Sequence, residues 1–532
     1  MTIERPTALQ PEMPATRWGD PDHAIGLPDG VRDLVGMVFE LRHTPAATEV
    51  ALPATRLTDG QIAALQGLLG AEHVVTEDAL RRLRTRGKST PDLLRQRTGD
   101  LGDAPDVVVR PGGHDDVAAV LAWAVEQRVA VVPFGGGTAV TGGLVADPAS
   151  AGLTGVISLD LGRMRGLLAL DPVSSTATLE PGLRGPEAEA LLGEHGLMLG
   201  HLPQSFEYAS IGGFAATRSS GQSSAGYGRF DSMVVALRVA TPAGEVRLGA
   251  SPANASGPDL RELFLGSEGA FGVITEVTVR VRPLPEVKEY EGWRWPSFAE
   301  GADAMRVLAQ GDLLPTVLRL SDENETAINL ADPESIGGEG SAGCLMIVGY
   351  EGTPSAVAAK KAAVTTTLTG LGGRPQGSAP GEAWAEGRFN APYLRDNLLD
   401  VGVLVETLET VTFWGNRQNL YDRVRTALTE TLGEGAMVLC HVSHVYATGC
   451  SLYFTVAAPG GEDPLATWLP AKAAACEAIV AAGASITHHH AVGTDHKPYL
   501  GAEIGEVGVE VLRAVKRAVD PVGILNPGVL IP

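Results

Sequence analysis

Cysteine is scarce: four residues in 532 (Cys344, Cys440, Cys450 and Cys476), too few and too scattered for a disulfide framework or a C-x-x-C metal pair. That usage fits a reducing cytoplasm. Aromatic residues make up only 5% of the chain. Positive charge is also in deficit, 41 basic against 63 acidic residues for a net −22. A field of that sign repels phosphate backbones and anionic lipid surfaces, which argues against nucleic acid as a main partner. No apolar run approaches the ~20 residues of a membrane span, so none is expected, although peripheral contact through the N-terminal arm stays open. The opening residues have no cationic start followed by an apolar core, so no secretory signal is expected. The final VLIP is not a peroxisomal address. There is no internal repeat and no low-complexity tract. No G-x-G-x-x-G links a strand to a helix and no G-x-x-x-x-G-K-[ST] occurs, which excludes a Rossmann nicotinamide site and a nucleotide triphosphatase.

What is present is an ordinary globular balance, 44% apolar and 20% charged, long enough for two to four domains. Residues 1–100 read as an irregular arm followed by helices. Seven basic residues fall between Arg81 and Arg97; they are either a solvated helix face or a local anchor for an anionic cofactor or substrate. From 101 to 285 the pattern becomes strand, helix, strand and glycine-rich loop (PDVVVRP, HDDVAAVLAWAVEQR, RVAVVPF, GGGTAVTGG), the signature of an α/β unit. Further strands follow, ending in the alternating VITEVTVRVRP. Residues 286–483 mix strands (PTVLRLS, CLMIVGY, MVLCHVSHVY, CSLYFTVA) with helices, predicting an α+β domain with an antiparallel sheet and helices on one side. Residues 484–532 hold a histidine run, an amphipathic helix and the terminator DPVGILNPG.

Three glycine- or serine-rich segments carry candidate chemistry. In Pro133–Gly143, glycines remove Cβ atoms and let successive N–H groups converge on an anion, for which a diphosphate is the natural guest. GHLPQSFEYASIGG, continuing to Thr217–Ser220, combines small residues with hydroxyls suited to close approach by a flat ring and a ribityl chain. Gly266–Ile274 is a tight turn into the last strand. His488, His489 and His490 suggest zinc at first. In an extended chain, however, neighbouring side chains alternate, so at most two could share a metal, and no acidic H-x-E or H-E-x-x-H partner flanks them. Proton donor and acceptor is the better reading, and no metal is expected. Tyr453 lies in an alternating strand, where a core tyrosine is the default. Arg319 and Arg395 are either carboxylate-paired or planar forks for phosphate or carboxylate. His201 opens the second of these segments and either caps its turn or takes part in the chemistry there.

Together these segments resemble the FAD-binding domain of the vanillyl-alcohol-oxidase/PCMH superfamily, and DPVGILNPG is similar to its closing segment. Within it, RTRGKSTPDLL, GHLPQSFEYASIGG, APYLRD, GCSLYFTVA and HHHAVG resemble the alkyl-dihydroxyacetonephosphate synthase branch. The resemblance implies an α+β chain: a two-subdomain PCMH-type FAD-binding domain, an α+β cap domain for substrate and a helical N-terminal region. It implies that FAD contacts fall on Pro133, Phe134, Gly135, Gly136, Gly137, Thr138 and Ala139, and on Gln204, Ser205, Phe206, Glu207, Tyr208, Ala209 and Ser210. Others would come from Thr217, Arg218, Ser219 and Ser220, and from Glu268, Gly269, Ala270, Phe271, Gly272, Val273 and Ile274. Catalytic positions would be His201, Arg319, Tyr453, His488, His489 and His490, with Arg395 holding the departing carboxylate. The implied reaction exchanges the acyl chain of acyl-dihydroxyacetone phosphate for a long-chain alcohol without net redox; an FAD-linked 2-hydroxyacid or alcohol dehydrogenase is the alternative. No His or Cys in the glycine loop is placed for covalent flavin attachment, so FAD is expected to dissociate. A small-molecule or lipid substrate and a homodimer are expected. Ala491 stands where this branch has glycine after the histidine run.

Overall fold

The computed structural model describes residues 3–23, 26–27, 29–329, 343–433 and 435–532. The valine-rich runs of the flavin-binding half become strands buried on both faces, as parallel strands must be. Val107–Val109, Val156–Asp160 and Ala130–Phe134 pair in parallel, with Val74–Val75 antiparallel on the outer edge. The helix His114–Gln127 supplies the crossover and buries Val117, Val120, Leu121 and Ala124 against them. The alternating segments form a second, antiparallel sheet of five strands: Leu167–Asp171, Thr176–Leu179, Val273–Arg280, Val234–Thr241 and Gly244–Leu248. DPVGILNPG then returns to the first sheet. Leu525 bridges Val131 in parallel, and the Asp520 carboxylate accepts the Gly523, Ile524 and Leu525 amides.

The cap is one seven-stranded antiparallel sheet whose last four strands in spatial order are Val317–Ser321, Met437–Val442, Gly449–Pro459 and Val403–Phe413. Pleating sorts the side chains into two faces. Leu318, Leu320, Val438, Cys440, Leu452, Phe454 and Leu408 point into a core shared with the helices Phe298–Gln310, Pro354–Gly370, Arg417–Leu432 and Pro464–Ala481. The alternate positions, Arg319, His441, Tyr453 and Glu409, therefore lie on the opposite face. No helix among the described residues is long and apolar enough to cross a membrane.

The basic stretch before the flavin domain is not a solvated face. Ser89 caps the helix Thr90–Thr98 by accepting from Asp92 N, and Gly99 closes it in a left-handed conformation. Around it Arg81, Arg84, Lys88 and Arg97 are buried. Arg84 pairs with Asp160 and Glu12, Arg86 with Asp103, and Arg97 with Asp400. Lys88 Nζ donates to the carbonyls of Pro14, Ala15 and Arg17. These cations tie the N-terminal arm and the cap to the flavin domain, because burying an unpaired charge costs far more than pairing it.

Candidate active site

The glycine loop is set by contacts between chain segments. A Cβ on Gly136 would lie 1.9 Å from the Tyr208 carbonyl oxygen, and one on Gly135 would lie 2.2 Å from Ser210 Oγ. Gly136 is therefore demanded by the neighbouring Tyr208–Ala209 backbone as well as by any anion that approaches the loop. From the other side Lys88 N donates to Ala139 O at 2.7 Å. Thr141 Oγ1 donates to His490 O, and Thr141 O accepts the Thr494 and Asp495 amides. Among the described residues, no backbone N–H from Gly135 to Ala139 donates to a protein acceptor. Buried polar atoms on the facing segments, Gln204 Nε2, Ser223 Oγ, Ser451 Oγ and Thr487 Oγ1, likewise have no partner. A run of free amides on glycines beside orphaned donors and acceptors fits the diphosphate and ring of FAD.

Some of the expected FAD residues have side chains that also serve the scaffold. Ala270, Phe271 and Ile274 are buried in the core of the antiparallel sheet of the flavin domain, and Val273 in that of its parallel sheet. Arg218 is turned outward onto Asp231 and Glu262. Tyr208 packs edge-on against Trp18, and Phe206 stacks on Phe389. The Glu268 carboxylate accepts the Val492 and Gly493 amides. Burial pushes its pKa up to about 7 against those two hydrogen bonds. It fastens the histidine segment to the flavin domain.

The catalytic candidates converge on the cap face. Tyr453 lies in register with Glu409 on one side and His441 on the other. Its ring stacks on His441 at 4.7 Å and meets the edge of His490 at 5.5 Å. Burial raises its pKa, so the phenol stays protonated. Arg319 Nη2 donates to Glu325 Oε1 at 2.5 Å and Nη1 lies 3.0 Å from His441 Nε2. Burial works against the Glu325 charge, but His441 and Arg319 hold its pKa down at about 2. Arg319 is thus carboxylate-paired, at the edge of the tyrosine. His201 hydrogen-bonds Ser219 Oγ and packs between Phe214 and Phe230. Burial and the nearby His489 lower its pKa to about 3, leaving a neutral ring. Arg395 is not among them: Nε and Nη2 engage Asp396, and Nη1 donates to Lys88 O.

The three histidines do not alternate as an extended chain would require. Their segment bends, bringing His488 Nδ1 to 3.0 Å from His489 Nδ1 while His490 turns to Tyr453. Both Nδ1 atoms face Glu409, a residue the sequence analysis did not single out. Glu409 Oε2 contacts His489 Nδ1, and Oε1 is 3.6 Å from His488 Nδ1 and 3.7 Å from His444 Nε2. His444 Nδ1 in turn meets Ser220 Oγ at 3.0 Å and Ser224 Oγ at 2.7 Å, and His488 Nε2 meets Tyr446 OH at 2.6 Å. Burial lowers His488 to about 4 and His490 to about 3. Glu409 with His444, His488 and His489 is also a donor set that could hold a metal ion. The signal for Glu409 was a carboxylate at an inward position of VETLETVTF; His441 and His444 were read only as part of a strand.

The profile described as FAD binding domain matches residues 105–249, and that of FAD linked oxidases, C-terminal domain, matches 284–530. The chain is 34% identical to the alkyldihydroxyacetonephosphate synthase of Trypanosoma brucei brucei, covering 93% of this chain and 85% of that one. It is 34% identical to the enzyme of that name from Dictyostelium discoideum, over 86% and 78% of the two chains. A solved structure of an alkyldihydroxyacetonephosphate synthase superposes with a TM-score of 0.82 at 28% identity, covering 97% and 98%. With its unsatisfied glycine-loop amides and its tyrosine–histidine face, this chain belongs to the FAD-dependent alkyldihydroxyacetonephosphate synthase family.

Proposed function

We propose that the chain replaces the acyl chain of an acyl-dihydroxyacetone phosphate with a long-chain alcohol, releasing the fatty acid and leaving no net change in oxidation state. The observation that carries this reading is Tyr453, a half-buried phenol set between His441 and His490 on the face that meets the flavin domain. FAD, which the Gly135–Ala139 amides would hold, would supply in its oxidised form an electron-poor ring able to stabilise the substrate once a proton has left the carbon beside the ketone. Tyr453 and His489 or His490 move the proton at the adjacent carbon, a role suited to a neutral imidazole beside a protonated phenol. Thr141 and Glu268 keep the histidine segment against the glycine loop, so both halves of the site move as one. The Asp396–Arg395 pair and Lys88 close the arm over the site, and Arg395 Nη2, ion-paired with Asp396 but making no hydrogen bond, is the donor that would meet the carboxylate of the leaving group.

The same reading takes FAD as dissociable, the substrate as lipid-derived, the enzyme as cytoplasmic and its assembly as a homodimer; four buried free thiols support a reducing compartment. The test is anaerobic titration of the yellow protein with 2-hydroxyacids and alcohols. The flavin is expected to stay oxidised. Persistent bleaching with turnover once an acceptor is added would make the chain a dehydrogenase.

A further inference from the structure

Glu409 is fully buried, in the middle of the strand Val403–Phe413, directly beside Tyr453. A carboxylate there has no structural cation: among the described residues no Lys or Arg pairs with it, and its neighbours are imidazoles. Its shortest contact is with His489 Nδ1. That nitrogen also lies 3.0 Å from His488 Nδ1, so one ring atom faces both an anion and a second imidazole. A single proton on His489 Nδ1 cannot serve both. The carboxylate, whose two buried oxygens have no other hydrogen-bond partner among the described residues, is the stronger acceptor and claims it.

The rest of the cluster holds that choice in place. His488 is anchored through Nε2 to Tyr446 OH, and His444 through Nδ1 to Ser220 and Ser224. Arg229 approaches from the flavin domain and acts on Tyr446, His444 and His488, while His441 and Cys440 lie two strands away, beyond Tyr453. Burial opposes charge on Glu409, yet His489 and His488 hold its pKa well below the usual carboxylate range. Burial keeps His488 and His444 neutral.

From this geometry we infer that Glu409 is a positioning residue for His489, fixing the tautomer with the proton on Nδ1 and leaving Nε2 as the site's base. The inference rests on the exchange reading for the identity of the proton taken, but not for the tautomer itself. When Nε2 takes the proton from the substrate carbon, the ring becomes cationic and Glu409 compensates the charge without being protonated, the division of labour found in histidine–carboxylate pairs generally. The ring then returns a proton, the same one or one exchanged with solvent, to the product carbon, and the balance closes.

The experiment is Glu409→Gln in the FAD-loaded enzyme, read as kcat, KM, the pH profile of kcat and the melting temperature. The expected result is a loss of roughly 10²-fold or more in kcat with KM within a few-fold. The acidic limb should move to lower pH, because a base that has lost its neighbouring anion is easier to keep neutral. Glu409→Asp should recover part of kcat. An unchanged kcat, or a lower melting temperature with the acidic limb unmoved, overturns the inference. If Glu409→Gln does not fold, imidazole 15N shifts of wild-type holoenzyme, with His489→Gln for assignment, decide it: Nδ1–H on His489 supports the inference and Nε2–H overturns it. That readout needs no substrate, so it stands even if exchange activity is absent. One equivalent of zinc retained by the holoenzyme, with activity lost on chelation, also overturns it.

Discussion

Replacing Tyr453 with phenylalanine deletes one oxygen from a ring held between His441 and His490. If the phenol moves a proton, turnover should fall roughly 10²–10⁴-fold in a protein that keeps its FAD. The stability loss should stay near 1 kcal/mol, one ordinary hydrogen bond; steady-state rates and a melting curve separate the two. Ala491 gives a second test. Its φ is +71°, in the left-handed region where a Cβ is strained. That explains why glycine is expected at this place. Ala491→Gly should relieve about 1–2 kcal/mol of strain, partly offset by the freedom glycine has when unfolded, so in a chain of this length the melting temperature should rise by about a degree. Tyr453 and the histidine run were legible because their motifs are local. Glu409 was not, since nothing in VETLETVTF says which residues far along the chain will face it.

At the scale of elements, the glycine loop was legible as a loop, but not all of the reasons for its glycines were. Glycines were expected to admit a diphosphate; Gly136 must also admit the Tyr208 carbonyl. Gly136→Ala should therefore both destabilise the fold, by about 1–3 kcal/mol for an overpacked contact, and lower FAD occupancy. Absorbance at the flavin band and a melting curve on the same sample check it, and full occupancy at unchanged stability would contradict the geometry. The basic stretch before the flavin domain was half read. Its helical spacing was correct, but composition cannot tell a wet cation from a buried one. The partners of Arg84, Asp160 and Glu12, come from a strand and an arm distant in sequence. The alternation in CSLYFTVA identified a strand, and which of its faces holds the site became clear only when the helices were seen to cover Leu452 and Phe454.

Across the whole molecule, one buried carboxylate links the C-terminal segment to the flavin half. Glu268 titrates at about 7 in the folded chain, against ~4.3 unfolded. Between those values the folded state binds more protons, so this group makes stability fall as pH rises from about 4.5 to 7, with no further change above. Glu268→Gln should remove that slope from the melting temperature, while weakening the hold on Val492 and Gly493; a slope identical to wild type would show the group ionised throughout. The two-subdomain flavin half and the one-sided α+β cap were legible because strand composition and periodicity report burial on one or two faces. How the two halves meet was not, because it depends on contacts such as Ser220 to His444 and Tyr227 to Glu351 between residues with no sequence signature. Supplying the FAD-loaded protein with acyl-dihydroxyacetone phosphate and a long-chain alcohol, under argon and with no electron acceptor, tests the central claim most directly. Ether-linked product and free fatty acid should appear in equal amounts over many turnovers; product formation that stops without an acceptor, or fatty acid released with no ether formed, would contradict it.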